Sequence, residues 1–226
     1  MPHDLLCQRL AQQVVTLMTN GREQLCPVEN VSLIYAGQHR PREPIMYQPG
    51  IVILFQGSKT GYLGSTVFQY DATKYLMLTV PLPVECETWA SPEQPLAGMC
   101  LRVDTASLQD LLMDIGDDEG FQPQPLTSGI HSAFLTEPML CAAERLLDVM
   151  TQPRDARVLG PQIVREILYY VLTGPIGGGT AVTGESSDAV QPDCPGTAPY
   201  RESLCRQPQR GHAGGRGEHE CLSVSS

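Results

Sequence analysis

Little in this chain is basic, and that shortage is the first constraint. Of 226 residues, 15 are Lys or Arg against 25 Asp or Glu, which leaves a formal net charge of −10. Binding to nucleic acid through bulk charge needs clustered cations, so the chain is expected to be a poor nucleic-acid binder on bulk electrostatics. Long apolar runs are also missing. The aliphatic-aromatic runs, such as Ile51 to Phe55 and Ile167 to Leu172, fall far short of the ~20 residues that span a bilayer. No basic region precedes an apolar block near the N-terminus, so no secretory signal is read, no membrane partner is expected and the cytoplasm is the expected compartment. Eight cysteines are scattered with no CxxC pair, which argues against a disulfide framework. Histidine is scarce: His3, His39 and His131 are the only ones before residue 177, and none falls between Ile51 and Val103.

Hydrophobic residues make up 42% of the chain, enough for a real core. They are unevenly spread. Residues 177–226 hold nine Gly and four Pro but only five of Leu, Ile, Val, Met or Phe. Such a segment buries too little apolar surface to offset the entropy of ordering it, so it is expected to be a disordered tail. Residues 1–176 alternate apolar runs with turn signals and are expected to form one domain.

Within that domain Leu5, Leu6, Leu10, Val14 and Leu17 recur at helical spacing, and Asn20-Gly21 ends the helix. The period then changes. Val31–Ala36, Ile51–Gln56, Thr66–Tyr70, Tyr75–Val80, Val84–Trp89 and Ala97–Val103 are short, rich in β-branched and aromatic residues, and separated by Gly, Pro, Asp and Ser. About seven strands without intervening helices over residues 27–104 indicate an antiparallel sandwich or jelly-roll barrel. Asp104 is placed to cap a helix, and helical periodicity fills residues 105–176. One stripe is Leu108, Leu111, Leu112 and Ile115; a second is Leu140, Ala143, Leu146, Leu147 and Met150. The third runs from Val158 to Leu172, before Gly174-Pro175. The expected fold is α+β: a jelly-roll with a leading helix and a C-terminal helical subdomain.

A jelly-roll raises the prospect of a metal-dependent isomerase or dioxygenase, whose site needs two or three His and a carboxylate converging from strands. The strands lack histidine, so no metal and no cofactor are expected, and the chain is read as a non-enzyme. Gly57-Ser58-Lys59-Thr60-Gly61 lacks the ending of a phosphate-binding loop and is read as a tight hairpin.

Alternation along Val84–Trp89 puts Val84, Cys86 and Thr88 on one face and Glu85, Glu87 and Trp89 on the other. The two carboxylates stand about 7 Å apart along the strand. Facing out, they solvate a surface; facing in, they and the only tryptophan would line a pocket. Candidate ligand-binding residues are therefore Gln56, Tyr70, Glu85, Cys86, Glu87, Trp89, Cys100 and Arg102, joined by His39 and Arg42 from a loop ahead of the barrel. Two carboxylates and an aromatic wall suit a small polar or cationic molecule. Cys86 and Cys100, read as lying on adjacent strands, suit a reactive carbonyl compound instead. Buried cysteines are also ordinary small hydrophobes.

The stretch Pro49-Gly50-Ile51-Val52-Ile53-Leu54-Phe55-Gln56-Gly57-Ser58-Lys59, the run Tyr75–Pro83, Glu85-Cys86-Glu87-Thr88 with Ser91-Pro92-Glu93, and Ile163–Tyr169 with Leu172-Thr173-Gly174-Pro175 carry a resemblance. Together they resemble the N-terminal domain of AraC-type transcription regulators, over roughly residues 5–178. The resemblance implies a cupin-like jelly-roll followed by helices, a small-molecule effector, and a homodimer. It also implies operator DNA as a partner, bound through helix-turn-helix units that normally follow. Residues 177–226 lack the periodicity of such units. Read one nucleotide later under one permitted choice of codons, Asp188 to Ser225 gives a string with helical period. Its end resembles the first helices of an AraC-type DNA-binding domain. A frameshift is the expectation, and the coding DNA across codons 176–190 checks it. The other readings are a jelly-roll enzyme and a jelly-roll with no role at DNA, either binding a small molecule or acting as a structural interaction module with an empty barrel.

Overall fold

A computed structural model describes residues 3–19, 27–116 and 129–176 of the chain. The expected tail, 177–226, and the expected helix stop at Asn20-Gly21 lie outside the described residues. The chain enters through helix α1 (His3–Thr19) and then forms β1 (Val31–Ala36), β2 (Arg40–Tyr47), β3 (Gly50–Gln56), β4 (Ser58–Leu63), β5 (Thr66–Tyr70), β6 (Lys74–Leu78), β7 (Leu82–Trp89) and β8 (Leu96–Arg102). Helix α2 (Thr105–Ile115), strand β9 (Ile130–Phe134), α3 (Glu137–Val149) and α4 (Pro153–Thr173) complete it. Five strands form one antiparallel sheet in the order β1-β8-β3-β6-β9, and four form another in the order β2-β7-β4-β5.

Three layers follow from how these strands are patterned. The run Ile51–Phe55 has no polar member because β3 is buried on both faces. Ile51, Ile53 and Phe55 meet the helices, in one core with Leu6, Leu10 and Val14 of α1 and Leu140 and Leu146 of α3. Val52 and Leu54 face the other way, toward Phe68, Tyr70, Val84 and Cys86 of the four-stranded sheet. The five-stranded sheet is thus a wall between two hydrophobic cores.

Short links lace the two sheets together. The chain crosses between them at 37–39, 48–49, 57, 71–73, 79–81 and 90–95. The crossing at Gly57 is a single residue in the left-handed region, φ 78°, and a Cβ there would meet the Leu96 backbone at 2.9 Å. Only glycine fits such a corner without strain. The crossing at 71–73 is held by Asp71, whose Oδ1 accepts from the Thr73 backbone N–H at 2.8 Å and from its hydroxyl at 2.6 Å.

The structure corrects three expectations about the strands. Residues 40–47 are β2, paired with β7, not a loop ahead of the barrel. Their prolines suit an edge strand, where a missing N–H leaves no ladder bond unmade. Ser58–Leu63 is strand β4 between β7 and β5, so the hairpin read at Gly57–Gly61 is a sheet-crossing corner followed by a strand. A ninth strand, β9, lies between α2 and α3 and pairs with β6. The N-cap at Asp104 is present: its carboxylate accepts from the Ser107 backbone N–H at 2.8 Å and from the Ser107 hydroxyl at 2.7 Å.

Candidate functional site

Inward-facing side chains of the four-stranded sheet are fixed by its register. On β7 the alternation buries Val84, Cys86 and Thr88. Lys59 on β4 stands opposite Thr88 on one side and Tyr70 of β5 on the other, so it shares their inward face. Gly61, two residues on, lies under the Phe68 ring, which a Cβ at 61 would meet at 2.2 Å. A small polar cluster forms among these apolar walls. The Tyr47 and Tyr70 hydroxyls are 2.6 Å apart, and the Cys86 thiol donates to Tyr47 Oη at 3.6 Å.

Burial sets the electrostatics here. Desolvation pushes the Tyr47 and Tyr70 phenols up, so both stay neutral donors. Burial also raises the Cys86 thiol, against the opposing pull of the Tyr47 hydrogen bond and the Lys59 charge. Cys100 is raised by burial too, and Arg102 and Lys59 pull it back. Both thiols are held away from the reactive thiolate. Lys59 moves the other way. Desolvation lowers its pKa, with Arg40 adding to the effect and Cys86, Glu43 and Cys100 opposing it.

The outer face of the same sheet carries a different set. Glu85, Glu87 and Trp89 point away from the space between the sheets. Arg42 Nε donates to Glu85 Oε2 at 2.7 Å, and its guanidinium lies 4.1 Å from the centre of the Tyr62 ring. Glu87 accepts from the Tyr62 hydroxyl at 3.1 Å and pairs with His39 Nε2 at 3.1 Å. The His39 ring leans on Trp89 with centroids 4.8 Å apart, while Trp89 Nε1 donates to the Thr60 hydroxyl at 3.1 Å. With Arg42 and Glu85 both about half exposed, water screens this network.

The ten residues singled out from sequence therefore divide. Tyr70, Cys86 and Cys100 face the interior; His39, Arg42, Glu85, Glu87 and Trp89 form the outer network. Arg42 belongs to β2, with His39 just before it, so neither comes from a free loop. Gln56 donates through Nε2 to the Pro95 carbonyl at 2.9 Å and so pins the β3–β4 corner to the link before β8. Arg102 is exposed at the end of β8. Cys86 and Cys100 are not on adjacent strands: β7 and β8 belong to opposite sheets, and the two thiols face the same interior from either side. Lys59, Tyr47 and Glu43 were missed. Reading 58–63 as a strand would have put Lys59 with Gly61 and Leu63 on one face.

Among the described residues, no three His, Cys, Asp or Glu side chains are grouped as metal ligands. Nor is any helix among them long and apolar enough to cross a membrane.

Two antiparallel sheets forming a jelly-roll, backed by helices on one face, define an α+β domain with a polar cluster enclosed between its sheets. Residues 27–179 match the model for the AraC-type transcriptional regulator N-terminus, and the chain belongs to that family. No curated protein matches it. Solved structures similar to it include apo ToxT from Vibrio cholerae, at 8% identity over 69% of this chain and 60% of that one, TM-score 0.48. ToxT bound to (E)-4-(8-methylnaphthalen-1-yl)but-3-enoic acid aligns at 7% identity over 58% of this chain and 53% of that one, TM-score 0.42. The AraC-like transcriptional activator CuxR aligns at 14% identity over 70% and 54%, TM-score 0.36. The chain spans 60% or less of the length of each.

Proposed function

We propose that this chain is the effector-sensing and dimerisation part of an AraC-type transcriptional regulator, with residues 1–176 as its regulatory domain. The observation that carries this reading is the polar cluster of Lys59, Tyr47, Tyr70 and Cys86 on the inward face of a sheet in a chain of that family. Tyr47, Tyr70 and Cys86 offset the cost of their burial by bonding one another, and a few convergent polar groups among apolar walls are what a small-molecule site requires. The effector site lies between the sheets, and inward-facing Tyr70, Cys86 and Cys100 belong to it. Operator DNA is a partner only through the helix-turn-helix units that normally follow such a domain and that residues 177–226 do not resemble; the protein works in the cytoplasm, and the domain itself is no enzyme.

The dimer reading is supported by α4. Val158, Leu159 and Tyr169 are 60%, 47% and 45% exposed on one helix, more apolar surface than a solvent face needs. Thermal-shift screening of the purified chain against a metabolite panel tests the effector reading. Stabilisation by at least one small molecule, weakened in Cys86→Ser and Tyr70→Phe but kept in Trp89→Ala, is the expected result. A panel without any stabilising compound overturns it. A stoichiometric metal found by elemental analysis would revive the enzyme reading.

A further inference from the structure

Lys59, with Arg40 across Thr88 from it, is a cation on the inward face of the four-stranded sheet. It sits on the inward face of β4, between Thr88 and Tyr70 in register. Thr88 and Tyr70 are 3% and 2% exposed, while Lys59 is only partly buried, so protein surrounds its stem and solvent still reaches the side chain. By contrast Arg9, Arg42, Arg145 and Arg165 each have a carboxylate in contact. Lys59 has no such contact and no hydrogen bond among the described residues. A desolvated ammonium without a counter-ion is a cost that a fold removes unless something repays it.

The surroundings do not supply the missing charge. Groups that interact electrostatically with Lys59 are Cys86 of β7, Arg40 and Glu43 of β2 and Cys100 of β8, and Arg102 acts in turn on Cys100. The thiols are neutral when protonated. That leaves Arg40, Lys59 and Arg102 against one carboxylate, Glu43, in a chain whose overall charge is −10. Tyr47, Tyr70 and Cys86 satisfy one another and present protons, not lone pairs of negative charge.

We propose that Lys59 is the counter-charge for the effector: the interior takes a small organic monoanion, a carboxylate, whose charged end meets the Lys59 ammonium while its apolar body lies against Ile45, Tyr47 and Leu63, which are only partly buried beside the closed core. The proposal rests on the effector reading above and names the class of molecule. A monoanion fits better than a phosphate ester because one ammonium and weak neutral donors balance one charge, and because the remaining walls are apolar. An apolar body also keeps water from the ion pair, which strengthens it.

Titration calorimetry on the full chain, in a buffer free of carboxylates, tests this with hexanoate and benzoate against hexanamide and benzamide. The wild type is expected to bind each acid about tenfold or more tighter than its amide, the size of one charge-assisted contact. Lys59→Met is expected to lose that difference, keep the amide affinity and melt no lower than wild type. Lys59→Arg is expected to retain a preference for the acid. Acid and amide binding equally to wild type, or an unchanged acid preference in Lys59→Met, overturns the anion assignment while leaving the effector site standing. Silence from all four probes also overturns it, whereas the effector reading falls only if the metabolite panel is silent too.

Discussion

At Lys59 a charge is held in an interior built mainly of Leu, Val, Phe and Tyr, and its consequences can be read without any ligand. Desolvation lowers its folded-state pKa below the ordinary 10.5, so the unfolded chain holds the proton more firmly. The cost of burying the charge is fully present below the lowered folded value and fades as pH rises toward 10.5. Lys59→Met is therefore expected to stabilise the ligand-free domain by about 1 kcal/mol at neutral pH, with the gain shrinking as the solution is made alkaline. Urea unfolding of both proteins at a series of pH values checks this, and a gain independent of pH would mean packing alone is responsible. The two faces of the four-stranded sheet give a sharper contrast. Tyr70→Phe removes a hydroxyl from a closed cluster and strands its Tyr47 partner, which should cost about 1–2 kcal/mol. Glu87→Gln on the wet outer face should stay within about 0.5 kcal/mol. Equal losses in the two variants would contradict the assignment of inner and outer faces.

The corner and the cap are where single elements depend on single residues. Gly57→Ala forces a side chain into a left-handed backbone against the Leu96 backbone, and should destabilise by about 2 kcal/mol or more. Asp104→Ala removes two hydrogen bonds at the start of α2 and should cost about 1 kcal/mol, seen first as faster amide exchange in that helix. Elements of this kind were also the test of how far sequence carries. Helices α1, α3 and α4 and strands β3, β7 and β8 were legible because burial imprints a period on their composition. Strands β2 and β4 were not. Arg40-Pro41-Arg42-Glu43-Pro44 and Ser58-Lys59-Thr60-Gly61 have the polarity of loops, and their pairing is decided by neighbours distant in the chain. The β9 pentapeptide is too short to show a period beside helices. The candidate site suffered from the same blind spot. Alternation gave Cys86 and Trp89 opposite faces correctly, but which face is inside depends on the sheet across the gap, and Lys59 was hidden within a segment that did not look like a strand.

For the molecule as a whole, assembly is the most exposed claim. If α4 forms the seam between two copies, Val158→Glu with Leu159→Glu should halve the mass seen by light scattering at tens of micromolar. Both positions are largely exposed within one chain, so unfolding stability per protomer should move by no more than about 0.5 kcal/mol. A wild-type chain of monomer mass at the same concentration contradicts the dimer. The six links between the sheets bear on what such an assembly could sense. Five of them are at most three residues long and the sixth spans 90–95. Sheets stitched at so many points have no free edge along which to swing open, and their spacing is set by the seams, not by whatever lies between them. On the proposed reading, a guest between the sheets must match a spacing fixed in advance, and thermal shifts should fall away for molecules one ring bulkier than the best binder.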